Sequence, residues 1–160
     1  MDAIPFPITP QGLLKLKTEL QRLKTVERPR ISLEIGAAIE LGDLKENFEY
    51  HSAKDRQGMV EAHVRDLEDK ISRAQVIDIT KLSGERVVFG ATVELLDVET
   101  DVRRTYTIVG ETETAVEAGR ISVASPVARA LIGRELGDEV RIPGRGGPRT
   151  VEIASIRFMG

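Results

Sequence analysis

Two stretches of this chain repeat apolar residues at alternating steps of three and four, and a short acidic segment separates them. In the later stretch the repeat runs through Ala53, Gln57, Val60, Val64, Leu67, Ile71 and Ala74, the rhythm that keeps one seam of a helix facing a partner helix. In the earlier stretch Leu13, Leu16, Leu20 and Leu23 keep the same rhythm, and Ile31, Ile35 and Ala38 resume it in a shifted phase. A chain patterned in this way buries both stripes by folding back on itself. The spacing therefore predicts an antiparallel helical hairpin with arms of roughly 30 residues, about 45 Å at ~1.5 Å per residue. Pro29 sits at the phase shift, and an interior proline lacks a donor and crowds the preceding turn, so a kink or stutter is expected near Arg28 and Pro29.

The turn between the arms reads Leu41-Gly42-Asp43-Leu44-Lys45-Glu46-Asn47-Phe48-Glu49-Tyr50. Glu40, Asp43, Glu46 and Glu49 are opposed there only by Lys45, so the tip repels itself unless a cation or a basic partner meets it. A plainer reading exists. Gly42 suits a left-handed helix stop, and Asp43 with Glu46 three residues on has the form of a capping box. The two readings are compatible, because a capping carboxylate keeps further lone pairs.

The heptad character ends near Ala74. Residues 1–79 are assigned to the hairpin, with its tip at 42–50, residues 80–85 to a linker, and residues 86–160 to a second domain. β-type runs dominate that domain at 86–97, 104–109, 121–124, 138–142 and 150–158, and Gly144 to Pro148 reads as a hairpin turn between the last two. The segment 126–132 has helical form, with Ser125 at the cap, Pro126 in the first turn and Gly133 as the stop. The fold class is α+β: a coiled-coil hairpin followed by a small antiparallel sheet with one helix.

Composition excludes several functions. With no cysteine in 160 residues, there is neither a disulfide framework nor a thiolate site. Residues 1–10 lack the basic start of a signal peptide and no apolar run approaches a membrane span, so a cytoplasmic, membrane-free protein is expected. Residues 10–76 carry twelve basic and twelve acidic side chains, and residues 77–160 carry eleven and thirteen. Neither half has the basic excess that autonomous DNA binding by counterion release requires. His51 and His63 lack companions at zinc-ligand spacing, and no phosphate loop or nucleophile motif is present.

Gly42-Asp43-Leu44-Lys45-Glu46-Asn47-Phe48-Glu49-Tyr50-His51 closely resembles the tip motif of the GreA/GreB family of bacterial transcript cleavage factors. The similarity extends through Ile4-Pro5, Arg28-Pro29, Ala74 to Asp78, Phe89 to Val93, Tyr106 to Gly110, Ile121 to Pro126 and Ala128 to Gly133. It is nearer the GreA branch, since few extra basic residues flank the tip. The resemblance implies an FKBP-like second domain that binds RNA polymerase at its secondary channel. It implies an accessory factor, not an enzyme in itself, that stimulates the polymerase's own Mg²⁺-dependent cleavage of backtracked RNA at the transcript 3′ end. Asp43 and Glu46 are then the catalytic acids and hold Mg²⁺ jointly with the polymerase, with none bound tightly alone. Asn47 and Tyr50 are candidates for positioning RNA or the attacking water, with capping and packing as the alternatives. Lys54 matches a basic RNA-contacting position, Arg56 supports it, and Ile39 stands where some relatives are basic. Ser125 and Pro126 fall on the polymerase-binding loop, where Ala124 replaces an acid of the GreB-like members.

Two other classes compete. An autonomous metal nuclease would use Glu40, Asp43, Glu46 and Glu49, but no His or Lys is arranged as its base. A binding module would be either a clamp built on the coiled coil or a prolyl isomerase built on the second domain, and the isomerase needs an apolar pocket that a chain with 4% aromatics is poorly equipped to line.

Overall fold

The computed structural model describes residues 4–159, which divide into two compact units. One comprises Leu13–Ala74, and the other comprises Ile4–Gly12 with residues 75–159. In chain order the elements are β1 (Phe6–Ile8), α1 (Pro10–Arg22), a π-helical turn (Leu23–Glu27), α2 (Arg28–Glu40), α3 (Phe48–Ser72), β2 (Ala74–Val76), β3 (Thr92–Asp97), β4 (Arg103–Val109), β5 (Arg120–Ser122), α4 (Pro126–Leu131), β6 (Glu139–Ile142) and β7 (Arg149–Arg157). Among the described residues no helix is long and apolar enough to cross a membrane.

The first unit is the expected hairpin, closed on its predicted seam. Leu16, Leu23, Ile31 and Ala38 of the first arm are buried against Ala53, Val64 and Leu67 of the second. The buried positions of the first arm are spaced seven, eight and seven residues apart, so one residue too many separates Leu23 from Ile31. The π-helical turn absorbs it: the Arg28 N–H donates to the Leu23 carbonyl, five residues back, and the seam regains its phase. Pro29, directly after the turn, thus falls in the opening of α2 and not in a regular helix interior. Ion pairs Lys24–Glu68, Arg28–Glu61 and Arg56–Glu34 join the arms. Partner numbers fall on α3 as they rise on the first arm, as antiparallel packing requires. Half-exposed pairs of this kind contribute little stability and serve mainly to fix register.

The second unit differs from expectation in three respects. Its sheet, in the order β5-β4-β3-β7-β6, is antiparallel except for β4 and β5, which run parallel. That is a correction to an all-antiparallel sheet, and it follows because the segment 110–119 crosses back before β5 begins. The run expected from residue 86 becomes a strand only at Thr92, after an isolated bridge from Arg86 to Glu135 and a turn at Phe89 and Gly90. Finally, the unit boundary lies at Ala74 and Gln75, not at 79 and 80, and residues 80–85 are part of the second unit rather than a linker between units. β1 pairs with β2, the Ile77 N–H donates to Ile8 O (2.9 Å), and Glu113 accepts from the Thr9 hydroxyl and from the Gly110 N–H. Gly110 is required there, since a Cβ would come within 2.6 Å of the Pro7 carbonyl.

The core of this unit is aliphatic, as the scarcity of aromatics demands. Val87, Ala91, Val93, Ile108, Ala128, Leu131 and Ile153 are completely buried. The apolar residues of β7 change parity between Ile153 and Ile156. The strand pairing explains this, because Glu94 and Leu95 face Ser155 and Ile153, leaving one extra residue as a β-bulge that returns Ile156 to the core side.

Candidate functional site

The arms are joined by residues 41–47. α2 ends as predicted, with the Leu41 and Gly42 N–H groups donating to the Ala38 and Ile39 carbonyls (3.1 and 3.2 Å) and Gly42 at φ +101°, a conformation that favours glycine. The start of α3 is not where the capping-box pattern puts it. Asn47 is the N-cap: its Oδ1 accepts from the Tyr50 N–H (3.1 Å), and its Nδ2 donates to the Ala38 carbonyl (2.5 Å) on the opposite arm. One buried side chain thus stitches the end of α2 to the beginning of α3. Asparagine does this and aspartate does not, because the amide both accepts and donates.

Displaced from the cap, Asp43 and Glu46 stand exposed in the turn. One Asp43 oxygen accepts from the Lys45 N–H (3.1 Å), and among the described residues the Glu46 carboxylate has neither a hydrogen bond nor an ion pair. Leu41, Asp43, Glu46, Asn47, Phe48 and Glu49 line an open hollow of about 360 Å³. Both carboxylates therefore face one solvent-filled space with most of their lone pairs free. Among the described residues no group of three or more His, Asp or Glu side chains is gathered to hold a metal ion. The two acids suit a cation that draws its remaining ligands elsewhere, and Mg²⁺ takes one or two carboxylates and keeps water on its other positions.

The flanking candidates divide. Tyr50 is half-buried, its ring set edge-on to that of His51 with centroids 5.4 Å apart. His51 Nε2 lies 3.2 Å from the Lys45 carbonyl, a second tie on the turn. Lys54 is exposed and spends one of its three N–H donors on Gln57 (3.0 Å). Arg56 is held by Glu34 at 2.5 Å, and so serves first to join the arms. In the second unit the Ser125 hydroxyl oxygen accepts from the Ala128 N–H (3.2 Å), capping α4 with Pro126 behind it. Pro126 is exposed, and Ala124 is half-buried with its N–H donating to Ser122 Oγ (3.0 Å).

Sequence reasoning gave no separate role to Phe48, the first residue of α3. It is 79% exposed, and Leu41, Leu44 and Ile39 near it are 69%, 43% and 49% exposed. Its signal was an aromatic placed between polar residues and outside the seam.

Residues 6–76 match the family described as "Transcription elongation factor, N-terminal", and residues 82–158 match "Transcription elongation factor, GreA/GreB, C-term". The chain is 53% identical to transcription elongation factor GreA of Maricaulis maris over 153 residues, 96% of this chain and 98% of the relative. It is 51% identical to the GreA of a Methylobacterium species over 160 residues, the whole of both chains. Among solved structures it is similar to GreA factor homolog 1 of Thermus thermophilus, with 27% identity, a TM-score of 0.45, and 96% and 99% of the two chains covered. With both domains matched in order and half the residues identical end to end, the chain belongs to the GreA/GreB family of transcription elongation factors.

Proposed function

We propose that Asp43 and Glu46 are the chemical end of a transcript cleavage factor, and that Ser125 and Pro126 belong to its docking end on bacterial RNA polymerase. A transcription elongation factor of this family acts as an accessory to the polymerase at its secondary channel, and these residues are this chain's means of doing so on backtracked RNA. The observation that carries it is the pair of exposed carboxylates sharing one open hollow at the turn of the hairpin, Asp43 with a single backbone donor and Glu46 with none among the described residues.

The residues present fit a Mg²⁺ ion held jointly with the polymerase, with Asp43 and Glu46 as this chain's share. When bound, the ion supplies charge neutralisation at the scissile phosphate and a more acidic water. The protein contributes placement. Asn47 ties the end of α2 to the start of α3, so the carboxylates sit on a turn whose two ends cannot drift apart. Fixed placement of this sort turns an encounter into an oriented reaction, and a misplacement of about 1 Å costs on the order of 100-fold in rate. Asp43 and Glu46 orient the attacking water and hold it toward the phosphorus. Lys54, with two uncommitted N–H donors, meets an RNA phosphate behind the tip, and Tyr50 stiffens the first turn of α3. The balanced charge of each half leaves the polymerase to select the nucleic acid, with no autonomous DNA binding. The site of action is the cytoplasm, where the polymerase works.

The experiment adds the protein to stalled, backtracked elongation complexes with Mg²⁺ and follows shortening of the transcript from its 3′ end. Asp43→Asn and Glu46→Gln should each slow stimulated cleavage by on the order of 100-fold while still competing with the unmodified protein for the polymerase. Cleavage at the unmodified rate by both variants overturns the assignment. Cutting of bare RNA by the purified protein with Mg²⁺ would instead establish the autonomous nuclease.

A further inference from the structure

We propose that Phe48 is a positioning residue for transcript cleavage, its ring stacking on the unpaired base at the 3′ end of the extruded RNA; the inference rests on the assignment of Asp43 and Glu46 above. Phe48 lines the same hollow as those two acids and is 79% exposed, so the ring lies largely outside the hairpin seam. Its backbone is nonetheless fixed, because it directly follows the Asn47 cap, and a ring on a fixed backbone is a ready platform.

The electrostatics of the tip select what such a platform can hold. Asp43, Glu46 and Glu49 share the hollow with the ring, and the cation that borders it, Arg56, is already paired with Glu34, so a phosphate is repelled from the hollow. A base is uncharged and presents a π face of similar width to the phenyl ring. Stacking lets RNA be held beside carboxylates without bringing its backbone against them, and it is indifferent to base identity because every base has such a face. Nucleotides displaced from pairing are the ones that proteins stack on aromatic side chains, and the backtracked 3′ end is such a nucleotide. Ile39, Leu41 and Leu44 are aliphatic, and Tyr50 is half-buried against His51. Phe48 is thus the exposed aromatic of the tip among the described residues.

The test crosses the side chain with the base. Phe48→Leu keeps apolar bulk and removes the π face, and Phe48→Tyr restores it. Each is added at saturating concentration to backtracked complexes whose RNA ends in either a normal or an abasic 3′ nucleotide. Phe48→Leu should cleave the normal transcript about ten-fold more slowly, within the span that one base–aromatic stack supports, and Phe48→Tyr should restore the rate. The unmodified protein should lose the same factor on the abasic transcript, and Phe48→Leu should lose nothing further there, since the partner is already gone. Unchanged thermal melting and unchanged competition for polymerase separate this from a folding or docking defect. A full rate for Phe48→Leu on the normal transcript, losses that multiply when the two changes are combined, or a Leu defect independent of the base overturns the inference. The last of these would make the ring a contact to polymerase protein. If Asp43→Asn and Glu46→Gln also cleave normally, the assignment of the acids fails; if they are inactive while Phe48→Leu is not, only this inference does.

Discussion

The hairpin and the sheet unit solve the same problem with different means. In the sheet unit an aliphatic core from β3, β4, β6, β7 and α4 includes residues with no exposed surface at all. In the hairpin a single seam does the work, and half of its members are only half-buried. A seam two helices thick cannot exclude water from both sides, so the hairpin leans on cross-arm ion pairs and on one buried amide for its register. The difference teaches where precision resides. Burial fixes the sheet in bulk, whereas the tip, which has almost nothing to bury, is fixed by directional hydrogen bonds.

The sharpest way to break that comparison is a matched pair of truncations. Leu131→Ala removes a fully buried side chain from a core closed on every side, and should cost about 4 kcal/mol, near the upper end for such a change. Leu23→Ala removes the same atoms from the seam, where neighbouring chains can settle inward and water can enter, and should cost about 2–3 kcal/mol. Hydrogen exchange followed separately in the two units measures both. Equal costs would mean that the seam is as well packed as the sheet core.

Asn47→Ala tests the claim about directional bonds. It removes the α3 cap and leaves the Ala38 carbonyl without its side-chain donor, for about 1–2 kcal/mol. The loss should be concentrated in exchange of the amides at 48–52 and leave the sheet unit untouched. Stimulated cleavage should fall as well, although no carboxylate has been altered. A uniform loss across the hairpin would show that the amide supports the arms in general and not the turn.

The same contrast explains what could be read in the sequence. The seam was legible because heptad spacing records packing directly, from Leu13 to Ala38 and again from Ala53 to Ala74. Ser125, Pro126 and α4 were legible because a cap and a first-turn proline act within four residues. Hidden features depend on partners far away in sequence. Phe6–Ile8 is three residues long, contains a proline, and gains its strand character only from pairing with Ala74–Val76. Likewise the parallel pairing of β5 is set by the path of 110–119, not by its own residues. The capping-box pattern points to Asp43 for a related reason: Asp43 and Asn47 are both good caps locally, and the choice of Asn47 is made by the Ala38 carbonyl across the turn. Exposed Asp43 and Glu46 were therefore recognisable as acids of a tip motif, while the hollow they share with Phe48 was not.

A smaller effect should separate the units by pH. Asp97 at the end of β3 is 8% exposed, and it accepts from the Glu99 N–H (2.9 Å), the Arg149 guanidinium (3.0 Å) and the Thr100 N–H (3.2 Å). The Glu99 bond leads in holding its carboxyl below the ordinary 3.8, against the opposing effect of burial. A depressed folded-state value contributes stability that is present above the unfolded value near 3.8 and is lost as pH falls through the folded one. The sheet unit should therefore lose stability as pH falls below about 4, with Asp97→Asn flattening that part of the curve. In the hairpin Glu61 is likewise lowered by its bond to Arg28, but both partners are half-exposed and salt should weaken the effect. An Asp97 carboxyl that titrates at its ordinary value by NMR would remove the distinction.

The smallest expected change concerns Pro29, where the backbone of the hairpin is least regular. A proline inside a regular helix costs about 3 kcal/mol, through a lost hydrogen bond and a clash with the carbonyl four residues earlier. Here the widened turn at Leu23–Glu27 comes immediately before it, and the Arg28 N–H already reaches back five residues to Leu23. The extra residue between Leu23 and Ile31 demands that widening whatever stands at position 29, and once the turn is widened the proline ring has room. Pro29→Ala should then change the stability of the hairpin by less than about 1 kcal/mol, and the π-helical turn should persist, visible as an unchanged pattern of amide protection from 23 to 31. Stabilisation by about 3 kcal/mol, with protection spreading evenly through the segment, would show that the proline causes the irregularity. The seam's shift in phase would then be its consequence, and the hairpin would carry strain in its arms as well as charge at its tip.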